Sequence, residues 1–132
     1  MERFEERRIN ASKSLEALQE VLDERFTKIV RDATIQRFEF TVESVWKFAQ
    51  LYLREREGID IASPKGVFRS CFQVQVMSEE HCKTALEMID DRNLTVHTYN
   101  EALAEKIFKR IPEYHSLMKT LFASIVSKAH KT

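Results

Sequence analysis

Only two glycines and two prolines punctuate this chain of 132 residues: Gly58, Gly66, Pro64 and Pro112. Residues 1–57 contain neither type. Tight turns draw heavily on glycine and proline, so a chain this sparsely punctuated is committed to few turns and long helices.

The apolar spacing agrees. Phe4, Ile9, Ala11, Leu15, Leu18, Val21 and Leu22 recur mostly every three or four residues, which predicts a helix from Arg3 to Glu24. Residues Arg25 to Val30 read as a short turn. A second helix is expected from Asp32 to Glu57, with Ile35, Phe38, Val42, Val45, Trp46, Ala49 and Leu53 on its main stripe. Phe40, Phe48, Leu51 and Tyr52 widen that stripe, so this helix belongs in the middle of a bundle or at a subunit interface. Gly58 is its stop signal.

Ser63 and Pro64 mark the start of a third, short helix reaching about Gln75. Val74 and Val76 alternate with glutamines in a strand-like way, but no second strand exists to pair with them. Ser78 caps a fourth helix, Glu79 to Val96, with Cys82, Ala85, Leu86, Ile89 and Val96 facing inward. Thr98 and Glu101 have the spacing of a capping box for a fifth helix starting near Tyr99. Pro112 is expected to break or kink that helix. The tail from Lys128 to Thr132 is expected to fray. The expected fold is all-α: one domain over residues 1–132, an up-and-down antiparallel bundle of about five helices.

Charge excludes some functions. Lysine plus arginine equals aspartate plus glutamate at 21 each, so no overall field draws in nucleic acid or an anionic membrane. RNA contact would have to be local and brief. Cys71 and Cys82 are expected to be reduced and buried. The charged start of the chain lacks a secretory apolar region, and no apolar run nears the roughly 18 residues a membrane span needs. A cytoplasmic protein without membrane association is expected.

Function has to be decided in the stretch from Asp90 to Asn100. Arg92, Asn93, His97 and Tyr99 lie within it, the one cluster with the chemical variety to hold a phosphate and move a proton. On an unbroken α-helix Arg92 and His97 lie about 140° apart. They would flank a seam through Cys82, Ile89 and Val96, with Asn93 inside it. A twofold copy packed on that seam would bring two arginines and two histidines into one cleft. Such a cleft suits RNA cleavage without metal. Histidine takes the 2′-hydroxyl proton or protonates the leaving oxygen, and arginine holds the phosphate. A plainer reading fits as well: Arg92 pairs with Asp91 or Glu87 at the surface, and His97 simply ends a helix.

Arg92-Asn93-Leu94-Thr95-Val96-His97-Thr98-Tyr99 resembles the R-x4-H-x-Y motif of HEPN proteins. Thr34 to Thr41, then Trp46-Lys47, resemble the second helix of that family's nucleotidyltransferase substrate-binding branch. The segments around Ser63-Pro64-Lys65 and Ile111-Pro112-Glu113-Tyr114 fit too. The resemblance implies a homodimer encoded beside a minimal nucleotidyltransferase, the HEPN protein a ribonuclease toxin and the nucleotidyltransferase its antitoxin. It implies that Arg92 and His97 form the RNase site and that Asn93 supports them. Tyr99 matches the tyrosine that the nucleotidyltransferase modifies with AMP in some pairs. RNA is the implied substrate, and no cofactor or metal is implied. The alternative is a non-catalytic substrate-binding or regulatory subunit of a nucleotidyltransferase complex.

Other sites compete poorly. A di-iron bundle needs Glu-x-x-His pairs, which the chain lacks, and a zinc site lacks ligand spacing. His81 and His115 are expected at surface or boundary positions. Trp46, Phe38 and Phe40 are expected in core or interface. Arg37 and Glu39 read as structural, and Asp90 and Asp91 as a solvated charge pair.

Overall fold

The structure, a computed structural model, describes residues 2–130. It has five α-helices: α1 (Glu2–Leu22), α2 (Lys28–Arg56), α3 (Pro64–Gln73), α4 (Glu79–Leu94) and α5 (Glu101–His130). A 3-10 turn, Thr95–His97, joins α4 to α5. No strand occurs among the described residues, and Val74 to Val76 belong to a turn. No described helix is long and apolar enough to cross a membrane.

α2 occupies the middle of the bundle and packs on all four other helices. The Thr27 hydroxyl accepts the Val30 N–H at 3.0 Å, so the helix starts at Lys28. The turn expected from Arg25 to Val30 is therefore shorter, because Thr27 satisfies an orphan amide that the apolar pattern does not reveal. At the other end Gly58 adopts a φ of 69°, and the Ile59 N–H reaches back to the Leu53 carbonyl at 2.9 Å. That closure needs a left-handed residue, which glycine supplies without a Cβ clash. Phe38, Phe48, Tyr52 and Leu53 are fully buried, each removing a side chain from water for about 1.5–3 kcal/mol. Phe38 stacks on Tyr114 of α5 at 5.7 Å between ring centroids, and Phe48 sits between Phe4 and Phe122. Phe40, by contrast, is 61% exposed, and Ile9 of the expected α1 stripe is also at the surface.

α3 ends at Gln73, short of the expected Gln75. Gln75 takes a left-handed φ of 65°, its N–H bonds to Phe72 O at 3.0 Å, and the Val76 N–H bonds to Cys71 O at 3.0 Å. This pair of bonds satisfies the last carbonyls of the helix. Cys71 and Cys82 are free and buried, and burial followed by the neighbouring Cys82 sulfur pushes the Cys71 thiol up to about 12.

α5 stays helical through Pro112, so of the expected break or kink the break does not occur. Ile107, Ile111, Tyr114 and Leu117 are buried on both sides of the proline, and that packing holds the helix together across the missing amide bond. His115 is buried as well, against the expected boundary position, with its Nε2 3.2 Å from the Leu15 carbonyl of α1. The C-terminal end is helical to His130, and Lys128 bonds the Val74 carbonyl at 2.7 Å. The expected fraying therefore fails for residues 128–130; Lys131 and Thr132 lie outside the described residues.

Candidate functional site

The motif stretch spans the last turn of α4, the 3-10 turn and the cap of α5. Thr95 causes the change of helix type. Its hydroxyl donates to Arg92 O at 2.7 Å, and its side chain is buried. The Thr98 hydroxyl in turn donates to Thr95 O at 2.8 Å. A threonine that bonds its own preceding turn competes with continued α-helix. A 3-10 turn has three residues per turn, so the projection made for an unbroken α-helix does not hold here. Val96 is 69% exposed and Asn93 is exposed, so neither lies in the expected seam; Thr95 is the residue that points inward. Nor does Thr98 cap α5. The Leu103 N–H donates to Asn100 Oδ1 at 3.1 Å, which makes Asn100 the capping side chain.

Arg92 is held from α2. Its Nη2 lies 3.5 Å from Glu43 Oε2, and its Nε is buried without a hydrogen-bond partner. Glu43 is itself fixed: Trp46 Nε1 donates to Oε2 at 3.1 Å and Lys47 Nζ lies 3.2 Å from Oε1. Burial pushes the Glu43 carboxyl up, but the Trp46 and Lys47 hydrogen bonds and the charges of Lys47 and Arg92 outweigh it, leaving it below the usual carboxylate range. Both plain partners expected for Arg92 are engaged elsewhere. Asp91 accepts the buried Tyr114 hydroxyl at 2.5 Å, and Glu87 pairs with Arg110 at 2.9 Å. Asp90 bonds Lys65 at 2.6 Å, so the two aspartates are tied to α5 and α3 and are not a free solvated pair.

His97 and Tyr99 meet each other. The tyrosine hydroxyl lies 3.4 Å from His97 Nδ1, with the rings edge-on at 5.9 Å. This contact leaves Nε2 as the ring nitrogen that can face a substrate. Tyr99 is 82% exposed. It borders a cleft of about 300 Å³ with Asp32, Ile35, Gln36, Glu39 and Thr98. Among the described residues no hydrogen bond or ion pair joins Arg92 to His97. One chain thus presents a guanidinium on Glu43 and an imidazole on Tyr99, at neighbouring points of one short segment.

Glu43 and Arg31 are functional candidates that the sequence did not reveal. Glu43 looks like one more acid on a solvated helix face, and only the packing of α2 on α4 brings it to Arg92. Arg37 makes structural bonds, donating to Ala17 O at 2.8 Å and to Glu20 at 3.1 Å.

This arrangement, a five-helix bundle with an Arg-x4-His-x-Tyr turn between its last two helices, belongs to a recognisable class. Residues 6–127 match the family of nucleotidyltransferase substrate binding protein like proteins, and the chain belongs to that family. It is 49% identical to a structurally characterised protein of Thermus thermophilus (TM-score 0.84), over 87% of this chain and 98% of that one. Its fold is also that of a tri-AMPylated HEPN toxin of Shewanella oneidensis in complex with its MNT antitoxin (TM-score 0.75, 14% identity, 94% of this chain and 96% of that one). A substrate-binding domain of a nucleotidyltransferase from Haemophilus influenzae shares it too (TM-score 0.73, 17% identity, 87% and 96%). No curated protein sequence matches the chain.

Proposed function

We propose that this protein is the HEPN ribonuclease toxin of a toxin–antitoxin pair whose antitoxin is a minimal nucleotidyltransferase. The observation that carries the reading is the segment from Arg92 to Tyr99, where a guanidinium at the end of α4, an imidazole on the 3-10 turn and an exposed phenol just after it stand within eight residues. The HEPN toxin fold of the Shewanella oneidensis protein supports it.

The reaction works as a homodimer. Leu94, Val96 and Tyr99 are exposed apolar side chains on the motif segment. Ile29, Gln36 and Phe40 form an exposed stripe on α2, and Gln36 shares the Tyr99 cleft. A twofold contact over this side covers the apolar groups and places two copies of Arg92 and His97 together. One His97 takes the 2′-hydroxyl proton of RNA, and the 2′-oxygen attacks the phosphorus. The bond to the 5′-oxygen breaks, and a second His97 protonates that oxygen. Arg92 stabilises the charge on the phosphoryl oxygens, with Asn93 beside it as a hydrogen-bonding support. The products are a 2′,3′-cyclic phosphate and a 5′-hydroxyl, without need of a metal.

Tyr99 is the control point. AMP transferred to its hydroxyl by the nucleotidyltransferase from a nucleoside triphosphate, with pyrophosphate leaving and the phenolic proton lost, sets a negative phosphate and a bulky nucleoside against the His97 ring, repelling and blocking RNA. The test is RNA cleavage by partner-free protein in chelator beside Arg92→Ala and His97→Ala. The proposal requires cleavage by the parent and its loss in both variants.

A second reading is favoured by the Arg92–Glu43 ion pair, which occupies the guanidinium with a carboxylate of the same chain. On it, the protein is a non-catalytic substrate-binding or regulatory subunit of the nucleotidyltransferase complex. Folded protein that leaves RNA intact, with Tyr99 unmodified, supports that reading.

A further inference from the structure

The segment that carries His97 and Tyr99 has almost nothing of its own to hold it in place. The side-chain hydrogen bonds of Thr95, Thr98, Tyr99 and Asn100 all stay between Arg92 and Leu103. Of residues 95–100 only Thr95 is buried. Its far end is the first turn of α5, where the Asn100 side chain caps the Leu103 N–H but the amides before it lack intrahelical partners. The first buried α5 side chain is Ala104, a full turn inside.

Arg31 bridges that gap. Its side chain is only 3% exposed, and its guanidinium is fully committed. Nη1 bonds Glu101 Oε2 at 2.9 Å and Glu105 Oε1 at 3.1 Å, and Nη2 bonds Glu101 Oε1 at 3.2 Å. Nε bonds Asp32 Oδ1 at 3.1 Å. The two-pronged contact with Glu101 fixes angle as well as distance. Glu101 is the first residue of α5, one position after Asn100. Asp32, the third acid, lines the cleft beside Tyr99. The hydrogen bonds to Glu101 and Glu105 raise the Arg31 pKa against the effect of burial, and the Arg31 hydrogen bond lowers that of Glu101.

We infer that Arg31 is a positioning residue: by pinning the first turn of α5 to the first turn of α2, it fixes where His97 and Tyr99 stand. The effect on cleavage rests on the ribonuclease reading; the effect on the segment does not. Without the clamp the first turn of α5 frays back to Ala104, the connecting segment lengthens, and both side chains lose their shared placement.

Chemistry makes the test asymmetric. Arg31→Met keeps the buried stem and leaves only carboxylates that are already solvated, with Glu101 62% and Glu105 42% exposed. The bundle then stays folded. Arg31→Lys keeps the charge but cannot grip Glu101 with two prongs. The experiment is hydrogen–deuterium exchange by peptide mass spectrometry on the parent, Arg31→Met, Arg31→Lys and the Glu101→Gln/Glu105→Gln double variant. RNA cleavage kinetics are run on the same preparations. Expected in Arg31→Met is exchange about tenfold or more faster in residues 95–103, with α5 beyond Ile107 unchanged. Its kcat falls about tenfold or more while KM for RNA stays within about twofold. Arg31→Lys and the double variant fall between, and they carry the test if Arg31→Met does not fold. Unchanged exchange in 95–103 of a folded variant overturns the inference. So does faster exchange spread evenly over all helices, which marks a merely structural residue. Local loosening in a protein whose parent never cuts RNA upholds the clamp and sinks the ribonuclease reading.

Discussion

Arg92 and Glu43 face each other across the contact between α4 and α2, Nη2 to Oε2 at 3.5 Å, with the arginine Nε buried and unpaired beside them. The pair is loose, and a partly exposed pair of this kind is worth about 0.2–1 kcal/mol. A phosphate competing for the guanidinium therefore displaces little. Trp46 and Lys47 keep the carboxylate in place whether or not Arg92 stays on it. Glu43→Gln retains an oxygen for Trp46 and removes the negative charge. It should tighten RNA binding about two- to fivefold at low salt and change stability by less than about 1 kcal/mol. Fluorescence anisotropy with a short labelled RNA checks this; weaker binding would mean that Glu43 aids the arginine and does not compete for it.

Tyr114 joins the core of α5 to the last turn of α4. Its hydroxyl donates to Asp91 at 2.5 Å, and burial, then the Asp91 hydrogen bond, raises its pKa. Tyr114→Phe leaves a carboxylate that water can reach, for a loss of about 1 kcal/mol. Asp91→Ala strands the hydroxyl of a fully buried ring and should cost more, about 2–3 kcal/mol. Urea unfolding of the two variants tests the order, which is the informative part.

His115 gives the fold a mild sensitivity to acid. Burial lowers its pKa, against a smaller upward pull from the Leu15 carbonyl; Lys119 lowers it further and Asp23 opposes that. Glu16 lines the same groove. Below the unfolded-state value of about 6.5 the unfolded chain takes a proton that the folded chain refuses. Stability is therefore whole above that pH and declines as pH falls toward the depressed folded value. Melting temperatures between pH 7.5 and 5.5 should fall in the parent and fall less in His115→Gln.

Gln75 holds a left-handed φ of 65° at the end of α3, where glycine is the usual residue. Gln75→Gly should stabilise the protein by about 1 kcal/mol, some 2–6 °C in melting temperature, since the Cβ strain outweighs the added chain freedom. Calorimetry reads it directly. An unchanged or lower melting temperature would show that the Gln75 side chain contributes packing in the cleft it lines with Phe72 and His81.

The helical class and the central place of α2 were legible because they rest on periodicity and on the rarity of glycine and proline, both local properties. The motif segment was legible as a cluster of residue types. Its geometry was not. Thr95 turns the end of α4 into a 3-10 turn through hydroxyl bonds, and a heptad-like projection cannot sense that. Asn100 caps α5 in place of Thr98 because two candidates two residues apart compete, and the path of the chain decides between them. Pro112 sits inside a helix because buried neighbours on both sides outweigh its local cost. The pairings of Arg92 with Glu43 and of Arg31 with Glu101 join helices distant in sequence, and charge pattern alone does not select such partners.

The most direct measurement is the chemistry of RNA ends produced by partner-free protein in chelator, with intact mass showing Tyr99 unmodified. Fragments ending in 2′,3′-cyclic phosphate and 5′-hydroxyl are expected, absent with Arg92→Ala and with His97→Ala. Intact RNA beside a folded, unmodified protein would contradict it, as would fragments that both variants release as fast as the parent.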